Sequence, residues 1–427
     1  MTISNKLRSN PWFALSILCA LAFLNYLDRN LLYPLLGLIA KSLELSEPEL
    51  GAIATGFFVV YAISAPVFGY ASDKMSRRVV LLVSLLFWSA VTALSGMASG
   101  FFSLLVWRSF TGLGEGGYFP TAISLIGDLF DSRRRGTAIA LHGVFATLGG
   151  SAGYAVGGVL GEAYGWRTPF FISVIPGVLL AWFVWKYLPD PPRGVTETSS
   201  APVVNAPTET DRSPKNYLSV IASLPVLLIS LAACAAAYSM SGLTTWFPRY
   251  LEEVQHLSVS AAGSLTGLTF AATVAGQLSG GSLSDRLVSK YSGARPLLAG
   301  LSYLIAGPAL LIVPWTTLLT PCLLCFAVTQ ACRGFAEPNL YGTIIDSVES
   351  RSRGTAQGFL LLLTFVGSAL SPIVTGWLIK DHGYKLAMLS LAAAAIVSGI
   401  LALSLSKYLR LVSLLPNPGL PMDSSEA

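Results

Sequence analysis

Long apolar stretches, separated by short polar segments, recur along the whole chain. Each has about twenty or more residues, which is enough for an α-helix to cross a hydrocarbon layer about 30 Å thick. The pattern predicts twelve membrane spans, at residues 12–39, 49–71, 79–99, 101–130, 136–161, 168–188, 217–248, 259–283, 295–315, 317–346, 354–379 and 384–407. An even number of spans places both ends of the chain on the same side of the membrane.

The composition supports a membrane protein. Of the 427 residues, 53% are hydrophobic and only 11% are charged, whereas about a quarter of the residues of a soluble domain are charged. This excludes a soluble globular protein. Five cysteines, an odd number, and three histidines give little material for disulfides or for a metal centre, so no metal site and no cofactor is expected.

Residues 189–216 interrupt the apolar pattern, because Pro, Thr, Ser and charged residues replace the apolar ones there. A segment of this composition buries too little apolar surface to fold alone, so it is predicted to be a linker. The predicted organisation is an N-terminal six-helix bundle at 1–188, a cytoplasmic linker at 189–216, a C-terminal six-helix bundle at 217–410 and a cytoplasmic tail at 411–427.

The two predicted bundles have related sequences. One offset of 218 residues pairs Pro120 with Pro338, and pairs residues 135–138, which read Arg-Gly-Thr-Ala, with residues 353–356. We infer a parallel duplication and an all-α fold of two pseudo-symmetric six-helix bundles. In such duplicated carriers a cavity lies between the two bundles near the bilayer midplane, where rocking exposes it to each side in turn.

The distribution of Lys and Arg predicts the orientation. With the N-terminus inside, most of the 27 basic residues fall in cytoplasmic segments. We therefore expect both termini in the cytoplasm and a multi-pass protein of the cell inner (plasma) membrane. The net charge of +5 follows from this topology, so it indicates no nucleic-acid partner. The exceptions in external segments and within spans are Lys41, Arg167, Arg249, Lys380, Lys385, Arg29, Arg108 and Arg333.

Charged residues inside the predicted spans are the strongest functional candidates, because a charge at the bilayer centre is costly unless it faces protein or water. Asp28 and Arg29 lie about 24 Å of helix beyond the start of the first span. Arg108 and Glu115 are seven residues apart in the fourth span, so they share one face of that helix. The first and fourth helices are thus predicted to present two acids and two cations to one cavity.

These residue types suit proton-coupled carriage of an anion. Burial disfavours a charged carboxylate and a neighbouring Arg favours it, so the proton can be gained and lost during a cycle. Asp28 and Glu115 are the predicted proton carriers. Arg108 and Arg29 are the predicted anion-binding residues, since a guanidinium group binds a carboxylate through two hydrogen bonds. Static ion pairs that hold the two helices together are the alternative interpretation.

The second half offers further candidates. Arg333 and Glu337, four residues apart on the tenth span, form either an internal ion pair or a substrate contact, and the ion pair is the favoured interpretation. Gln277 and Asn339 are polar candidates for the cavity wall that also suit hydrogen bonds between helices. Tyr33 and Tyr118 are weaker candidates, because aromatic residues in membrane helices mostly serve packing.

The loop after the second span resembles a family signature. Residues 69–78 read Gly-Tyr-Ala-Ser-Asp-Lys-Met-Ser-Arg-Arg and are similar to the major facilitator superfamily loop, although Ser76 stands where that family usually has Gly. Residues 281–286, Gly-Ser-Leu-Ser-Asp-Arg, form a weaker second copy without the closing basic pair. The resemblance implies gating roles for Asp73, Arg77, Arg78 and Asp285. Positive-inside anchoring is the alternative interpretation of the basic residues.

Two branches of that superfamily are similar to this chain. Asp-Arg in the first helix and Arg108 with Glu115 in the fourth resemble the organic anion:cation symporters, which implies proton-driven transport of a sugar acid or another small carboxylate. Residues 124–130 and 188–194 resemble the spinster-type carriers, which implies lysophospholipid or sphingoid-phosphate substrates. A non-transporting sensor with the same fold is a third alternative. No enzyme is expected, because no nucleophile with a base is visible at membrane depth. The predicted working unit is a monomer.

Overall fold

A computed structural model describes residues 10–193, 219–288, 291, 293–348 and 352–413, without the side chains of residues 132, 133, 412 and 413. These residues are helical with short connections, and they include no β-strand. Most of the predicted linker and of the predicted tail lies outside the described residues. The helices are α1 Pro11–Asn30, α2 Leu36–Leu43, α3 Glu47–Lys74, α4 Arg77–Ser95, α5 Phe101–Gly116, α6 Tyr118–Leu129, α7 Ser132–Tyr164, α8 Thr168–Ile172, α9 Val174–Tyr187, α10 Leu224–Glu253, α11 Val259–Val288, α12 Ala294–Ile312, α13 Leu319–Asp346 and α14 Arg353–Ser413.

Within the described ranges, ten helical segments are long and apolar enough to cross a membrane when α1 is joined with α2 and α8 with α9, compared with the twelve predicted spans. Two glycines account for the difference. The predicted fourth span is divided at Gly117 into α5 and α6, each shorter than a membrane crossing requires. The last two predicted spans are two helices that meet at a kink at Gly383, where φ is 75° and ψ is 176°, so α14 counts once although it contains both of them. Glycine adopts this backbone conformation without the steric cost that a side chain adds.

The first span is interrupted near its middle. Helix α1 ends at Asn30, a short 3-10 turn covers Tyr33–Leu35, and α2 begins at Leu36. Pro34 lacks a backbone N–H, and in a continuous helix its ring would clash with the carbonyl group of Asn30, four residues earlier. The break therefore exposes carbonyl groups at the C-terminal end of α1, next to Asp28 and Arg29.

The helices form two groups, α1–α9 and α10–α14, that pack against each other mainly through α3 with α14 and α7 with α11. Glycines allow the backbones to approach closely at these crossings. Gly51 lies against the carbonyl group of Pro372, and Gly158 lies against the carbonyl group of Val259. A side chain at either glycine would collide with the backbone of the other group.

The interface between the groups is closed at one end. We call this the Glu47 end, and the opposite end the Asp73 end, after two residues of α3. At the Glu47 end, Arg249 Nη2 lies 2.9 Å from Glu47 Oε1, and the backbone N–H of Ser260 donates to Glu162 Oε2 at 2.6 Å. Toward the Asp73 end, glycines of the same interface helices have open space beside them; these are Gly136, Gly143, Gly281, Gly354 and Gly358.

Matching features occur in the two groups at the 218-residue offset. Arg77 pairs with Asp128, and Arg295 Nε lies 3.3 Å from Asp346 Oδ2 at the corresponding positions. The two glycines with positive φ also correspond: φ is 87° at Gly165 and 75° at Gly383. The expected domain boundaries stay a prediction.

Candidate functional site

The break in the first span is held by Arg108 of α5. The Arg108 guanidinium donates through Nη2 to the carbonyl oxygen of Arg29 at 3.2 Å and through Nη1 to that of Asp28 at 3.5 Å. Both carbonyl groups belong to the last turn of α1, where the helix dipole is negative and a cation is stabilising. Arg108 is 1% exposed, so these carbonyl groups take the place of water around its charge.

The side chain of Arg29 forms an ion pair with Glu115. Arg29 Nε donates to Glu115 Oε2 at 2.9 Å, and the carboxylate of Glu115 is fully buried whereas the Arg29 side chain is 14% exposed. Three rings surround the guanidinium carbon at 4.7, 5.1 and 4.9 Å from their centroids; they belong to Tyr26, Phe57 and Tyr61. Cation–π attraction and the ion pair together hold Arg29 in place.

Asp28 lies deeper in the first group and is fully buried. Its Oδ2 accepts a hydrogen bond from Nε1 of Trp88, at 3.2 Å. One oxygen of each acid, Oδ1 of Asp28 and Oε1 of Glu115, makes no hydrogen bond of ordinary geometry with the described residues. A buried carboxyl oxygen without a partner is costly when charged, so each acid has an oxygen that suits a proton.

Tyr118 begins α6, directly after the break at Gly117. Its hydroxyl donates to the carbonyl oxygen of Leu18 at 2.8 Å and lies 2.6 Å from Nε2 of His142. Because the hydroxyl proton is used by Leu18, the imidazole donates at Nε2 in this arrangement. Tyr118 is fully buried and its ring contacts Trp88 edge-on at 6.0 Å, so it supports the Asp28 side of the site.

A cavity of about 190 Å³ lies between the two groups of helices, beside Arg29. One wall belongs to α1, the turn after it and α3, and the other to α10–α14. The residues that line it include Tyr26, Arg29, Asn30, Tyr33, Phe58, Met240, Ser241, Thr244, Phe270, Tyr303, Arg333, Glu337, Tyr341, Thr364 and Ser368.

Arg333 and Glu337 of α13 provide the charged groups of the second wall. Both are half-buried and line the cavity. The ion pairs found among the described residues do not include one between them, which differs from the favoured interpretation of their spacing. Among the described residues, therefore, their side chains line the cavity without an ion pair, and Tyr303 and Tyr341 line the same cavity.

Of the predicted substrate-binding residues, four line the cavity: Arg29, Tyr33, Arg333 and Glu337. Arg108, Tyr118, Gln277 and Asn339 do not belong to its lining. Arg108 and Tyr118 lie behind the wall, in the contacts described above.

Asn339 joins two helices of the second group. Its Nδ2 donates to the carbonyl oxygens of Phe335, at 2.8 Å, and Gly280, at 3.4 Å. The contact with Gly280 connects α13 to α11, which is the helix-to-helix role given as the alternative for Asn339.

The predicted gating residues lie at the Asp73 end. Asp73 is exposed, whereas Arg77 is 1% exposed and bonds to Asp128 and to Oδ1 of Asp190, the latter at 3.3 Å. Arg78 donates to the carbonyl oxygen of Trp185. These contacts join elements within the first group, and the gating role stays a prediction.

In the second group, Asp285 Oδ1 lies 3.6 Å from Nη2 of Arg295, which also pairs with Asp346. Arg295 therefore supplies a cation close to the second copy of the loop, where residues 281–286 lack the basic pair.

Sequence reasoning missed three parts of the site. The ion pair of Arg249 and Glu47 joins the two groups of helices. In the sequence Arg249 resembles an ordinary loop cation, and only its burial in the structure, where it is 7% exposed, shows the difference. Trp88 was not singled out as the donor to Asp28, and no sequence signal marks it. Tyr303 and Tyr341 line the cavity because α12 and α13 cross beside it, and the sequence does not show that crossing. No cluster of three or more metal-binding side chains occurs in the described part of the chain.

Comparisons with known proteins agree with this architecture. A family model described as Major Facilitator Superfamily matches residues 18–291 and 256–418. The hexuronate transporter of Bacillus subtilis (strain 168) is 26% identical over 374 residues, which are 84% of this chain and 86% of that protein. Protein spinster homolog 3 of Danio rerio is 27% identical over 383 residues, which are 86% of this chain and 76% of that protein.

A solved structure has the same fold. It is a bacterial homologue of the human lysosomal transporter Spinster, in an inward-facing and unoccupied conformation. The TM-score is 0.76 at 23% sequence identity, and the match covers 94% of this chain and 97% of that chain.

Proposed function

The chain belongs to the Major Facilitator Superfamily and is a multi-pass membrane transporter, and we propose that it carries a small organic anion together with protons. The observation that carries the proposal is the Arg29–Glu115 pair beside the cavity. One member of the pair lines the cavity, and the other has a buried oxygen without a partner.

In this proposal the proton and the anion bind to different members of the pair. When Glu115 takes up a proton at Oε1, its attraction for Arg29 weakens and the guanidinium becomes available to a carboxylate in the cavity. When the anion leaves, Glu115 loses its proton and pairs with Arg29 again. Binding of the proton and binding of the anion therefore favour each other, which is the coupling that a symporter requires.

Asp28 is the second proposed proton carrier, and Arg108 supports it. Arg108 donates to the backbone of residues 28 and 29, so it fixes both side chains relative to each other. Arg108 thus acts behind the cavity, where it also balances the charge of Asp28 and Glu115.

The charges of the site suggest the stoichiometry. Three cations, Arg29, Arg108 and Arg333, and three carboxyl groups, Asp28, Glu115 and Glu337, lie in or next to the cavity wall. With all six ionised the empty site is neutral. Because protonation of Glu115 frees Arg29 for one monovalent anion, one proton enters with each anion, the net charge of the site is unchanged, and transport is electroneutral.

The dimensions of the cavity favour a small acid. Its volume of about 190 Å³ is below the 300–1,000 Å³ typical of pockets for drug-sized ligands, and a lysophospholipid is larger than most drugs. Similarity to the hexuronate transporter supports the same substrate class. The second candidate is a lipid substrate, which similarity to Protein spinster homolog 3 favours.

Alternating access completes the proposal. Closure at the Glu47 end suits a state that is open toward the Asp73 end, which we propose to be the cytoplasmic side, with both termini there and the protein in the plasma membrane. Separation of Arg249 from Glu47 would then accompany opening to the outside. Asp73 and Asp285 are proposed to act at the opposite gate.

Reconstitution into proteoliposomes tests the function. A ligand-induced thermal-shift screen against sugar acids, dicarboxylates, aromatic acids and lysolipids selects the substrate class. Uptake of the selected acid is then measured with an imposed pH gradient and, separately, with an imposed membrane potential. We expect accumulation driven by the pH gradient and no effect of the potential for a monovalent acid. Stabilisation by lysolipids alone would replace the organic-anion proposal with the lipid one.

A further inference from the structure

Glu252, near the end of α10, is a half-buried acid that the proposed coupling mechanism leaves unused. A Cβ atom at Gly37 would overlap Oε2 of Glu252, so this carboxyl group lies directly against the backbone of α2. Helix α2 belongs to the first group of helices and α10 belongs to the second. Glu252 is therefore part of the contact that closes the Glu47 end.

The closed contact does not satisfy this carboxyl group. Its Oε1 is buried and makes no hydrogen bond with the described residues. Arg249, on the same helix, forms ion pairs with Glu47 and Glu253, and the ion pairs found among the described residues include none with Glu252. A buried carboxylate oxygen without a donor or a cation is costly when it is charged. The closed contact therefore suits a protonated Glu252 better than a charged one.

The charges around Glu252 strengthen this preference. Electrostatic interactions connect it with charged groups on its own helix, on α2 and on α7; these are Arg249, Glu253, Lys41 and Glu162. Glu47 of α3 and Tyr384 of α14 act on the same arginine. With every acid ionised, Glu252 and its neighbours comprise four carboxylates and two cations, a net charge of −2. One proton on Glu252 reduces the repulsion among these acids.

Opening of the Glu47 end changes the surroundings of Glu252. When the two groups of helices separate, α10 moves away from α2 and water reaches the carboxyl group. Water stabilises the charged form and screens the repulsion from the neighbouring acids. Because the closed state favours the proton and the open state favours its loss, protonation and closure favour each other.

We propose that Glu252 is a third proton-binding site, which makes closure of the Glu47 end depend on the pH of the side that this end faces. Acid on that side favours the closed state. The proton returns to the same side when the end reopens, so it is not transported and the ratio of protons to substrate is unaffected. The inference requires the alternating access of the proposed function, but it does not depend on which substrate is carried.

Distance measurements on the purified full-length protein, without substrate, test the proposal. Fluorophores on non-natural amino acids at Ser42 and Thr317, exposed positions in the two groups of helices, report opening by single-molecule energy transfer. Gln255, which follows α10, donates to the carbonyl oxygen of Thr316, so the second label lies at the Glu47 end. The ratio of closed to open molecules is measured at several pH values.

The parent protein carries Asp28→Asn and Glu115→Gln, so the proposed proton carriers cannot produce a pH response. In this parent we expect the ratio of closed to open molecules to fall by about tenfold or more between pH 5 and pH 8. Glu252→Gln keeps the size of the side chain but binds no proton, so its ratio should change by less than about twofold and stay near the value at acid pH. Glu252→Asp keeps a titratable group and should keep the response. The melting temperature checks that each variant folds.

His256→Asn is the matched control, because it removes the histidine that follows α10, and histidine side chains commonly titrate in this pH range. Asparagine, like histidine, tolerates the φ of 55° at this position. The control should keep the full pH response. A full response in Glu252→Gln, its loss in His256→Asn, or a parent protein without any response would overturn the role of Glu252.

The inference and the proposed function fail in different ways. If the wild type accumulates an organic acid but the parent protein shows no pH response at the Glu47 end, only the inference on Glu252 is wrong. If the response is present and requires Glu252 while no organic acid is accumulated, the inference is supported and the proposed function is wrong.

Discussion

The two walls of the cavity use the same residue types in opposite ways. In the first group, Arg29 and Glu115 form a 2.9 Å ion pair, with Asp28 and Arg108 packed behind it. In the second group, Arg333 and Glu337 lie four residues apart and form no ion pair among the described residues. The 218-residue offset places Arg333 where the first group has Glu115, so the duplicated position carries opposite charges.

We expect this difference to separate proton coupling from substrate recognition. A buried pair with an unsatisfied oxygen changes its bonds when a proton arrives, so the first wall is suited to a switch. Free charged groups on a cavity surface are suited to binding a ligand, because no internal bond has to break first. The same type of substitution, glutamate to glutamine, should therefore have different effects in the two walls.

The substitution Glu115→Gln gives the largest expected effect. The amide cannot carry a transported proton, and it releases Arg29 from an anionic partner. We expect accumulation driven by a pH gradient to be abolished, while exchange of labelled for unlabelled substrate continues. Uptake and counterflow in proteoliposomes measure the two activities.

The matched control is Glu337→Gln in the second wall. It should keep accumulation at saturating substrate, because Glu337 is proposed to carry no proton. Accumulation by the Glu115 variant, or its loss in the Glu337 variant, would contradict the separation of the two walls.

The substitution Asp28→Asn tests whether the first wall carries protons at both acids. The amide oxygen still accepts from Trp88 Nε1, so the packing is preserved. We expect at least a tenfold loss of accumulation in the same pH-gradient assay, with exchange retained. Asp381→Asn, at an exposed position, is the control. Full accumulation by Asp28→Asn would assign coupling to Glu115 alone.

The substitution Arg108→Lys tests the support behind the first wall. A lysine keeps the charge but lacks the planar group that donates to the carbonyl groups of residues 28 and 29. A buried acceptor left without a donor costs about 1–3 kcal/mol. We therefore expect a lower melting temperature and about a tenfold lower rate, since misplaced groups react or bind more slowly. Full rate and unchanged melting temperature would reduce Arg108 to a simple counter-charge.

Much of the fold follows from the sequence, because membrane helices are defined by length and hydropathy. The helix bounds fall close to the predicted spans for most segments, and the family assignment from residues 69–78 is confirmed. The count of ten differs from the twelve predicted spans because α14 contains two of those spans, which meet at Gly383, and because the fourth span is divided at Gly117. Proline at position 34 is a break that the sequence does contain, although the predicted first span ran through it.

The site was less predictable than the fold. Charge at membrane depth directed attention to Arg29, Arg333 and Glu337, and these three residues line the cavity. Spacing alone could not separate them from Arg108, which shares a helix face with Glu115 but turns to the backbone of α1. The direction of a side chain depends on the neighbouring helix, and helix crossings are a tertiary property that one sequence does not encode locally.

Of the four substitutions, Arg333→Gln has the smallest expected effect on proton coupling, because it acts on the second wall. A charge-assisted hydrogen bond contributes about 1.5–3 kcal/mol, which corresponds to roughly a 10- to 100-fold change in affinity. We expect KM to rise by that factor, while the ratio of protons to substrate stays at the wild-type value because Asp28 and Glu115 are intact. Arg353→Gln, at an exposed position of α14, is the control and should leave KM unchanged.

KM and the ratio of protons to substrate together decide whether the second wall serves substrate recognition or proton coupling. Substrate uptake at several concentrations gives KM, and simultaneous recording of internal pH gives the proton ratio. A changed ratio with an unchanged KM would make Arg333 part of the coupling machinery, in which case both walls would act as one switch. A higher KM with an unchanged ratio would show that recognition and coupling are divided between the two groups of helices.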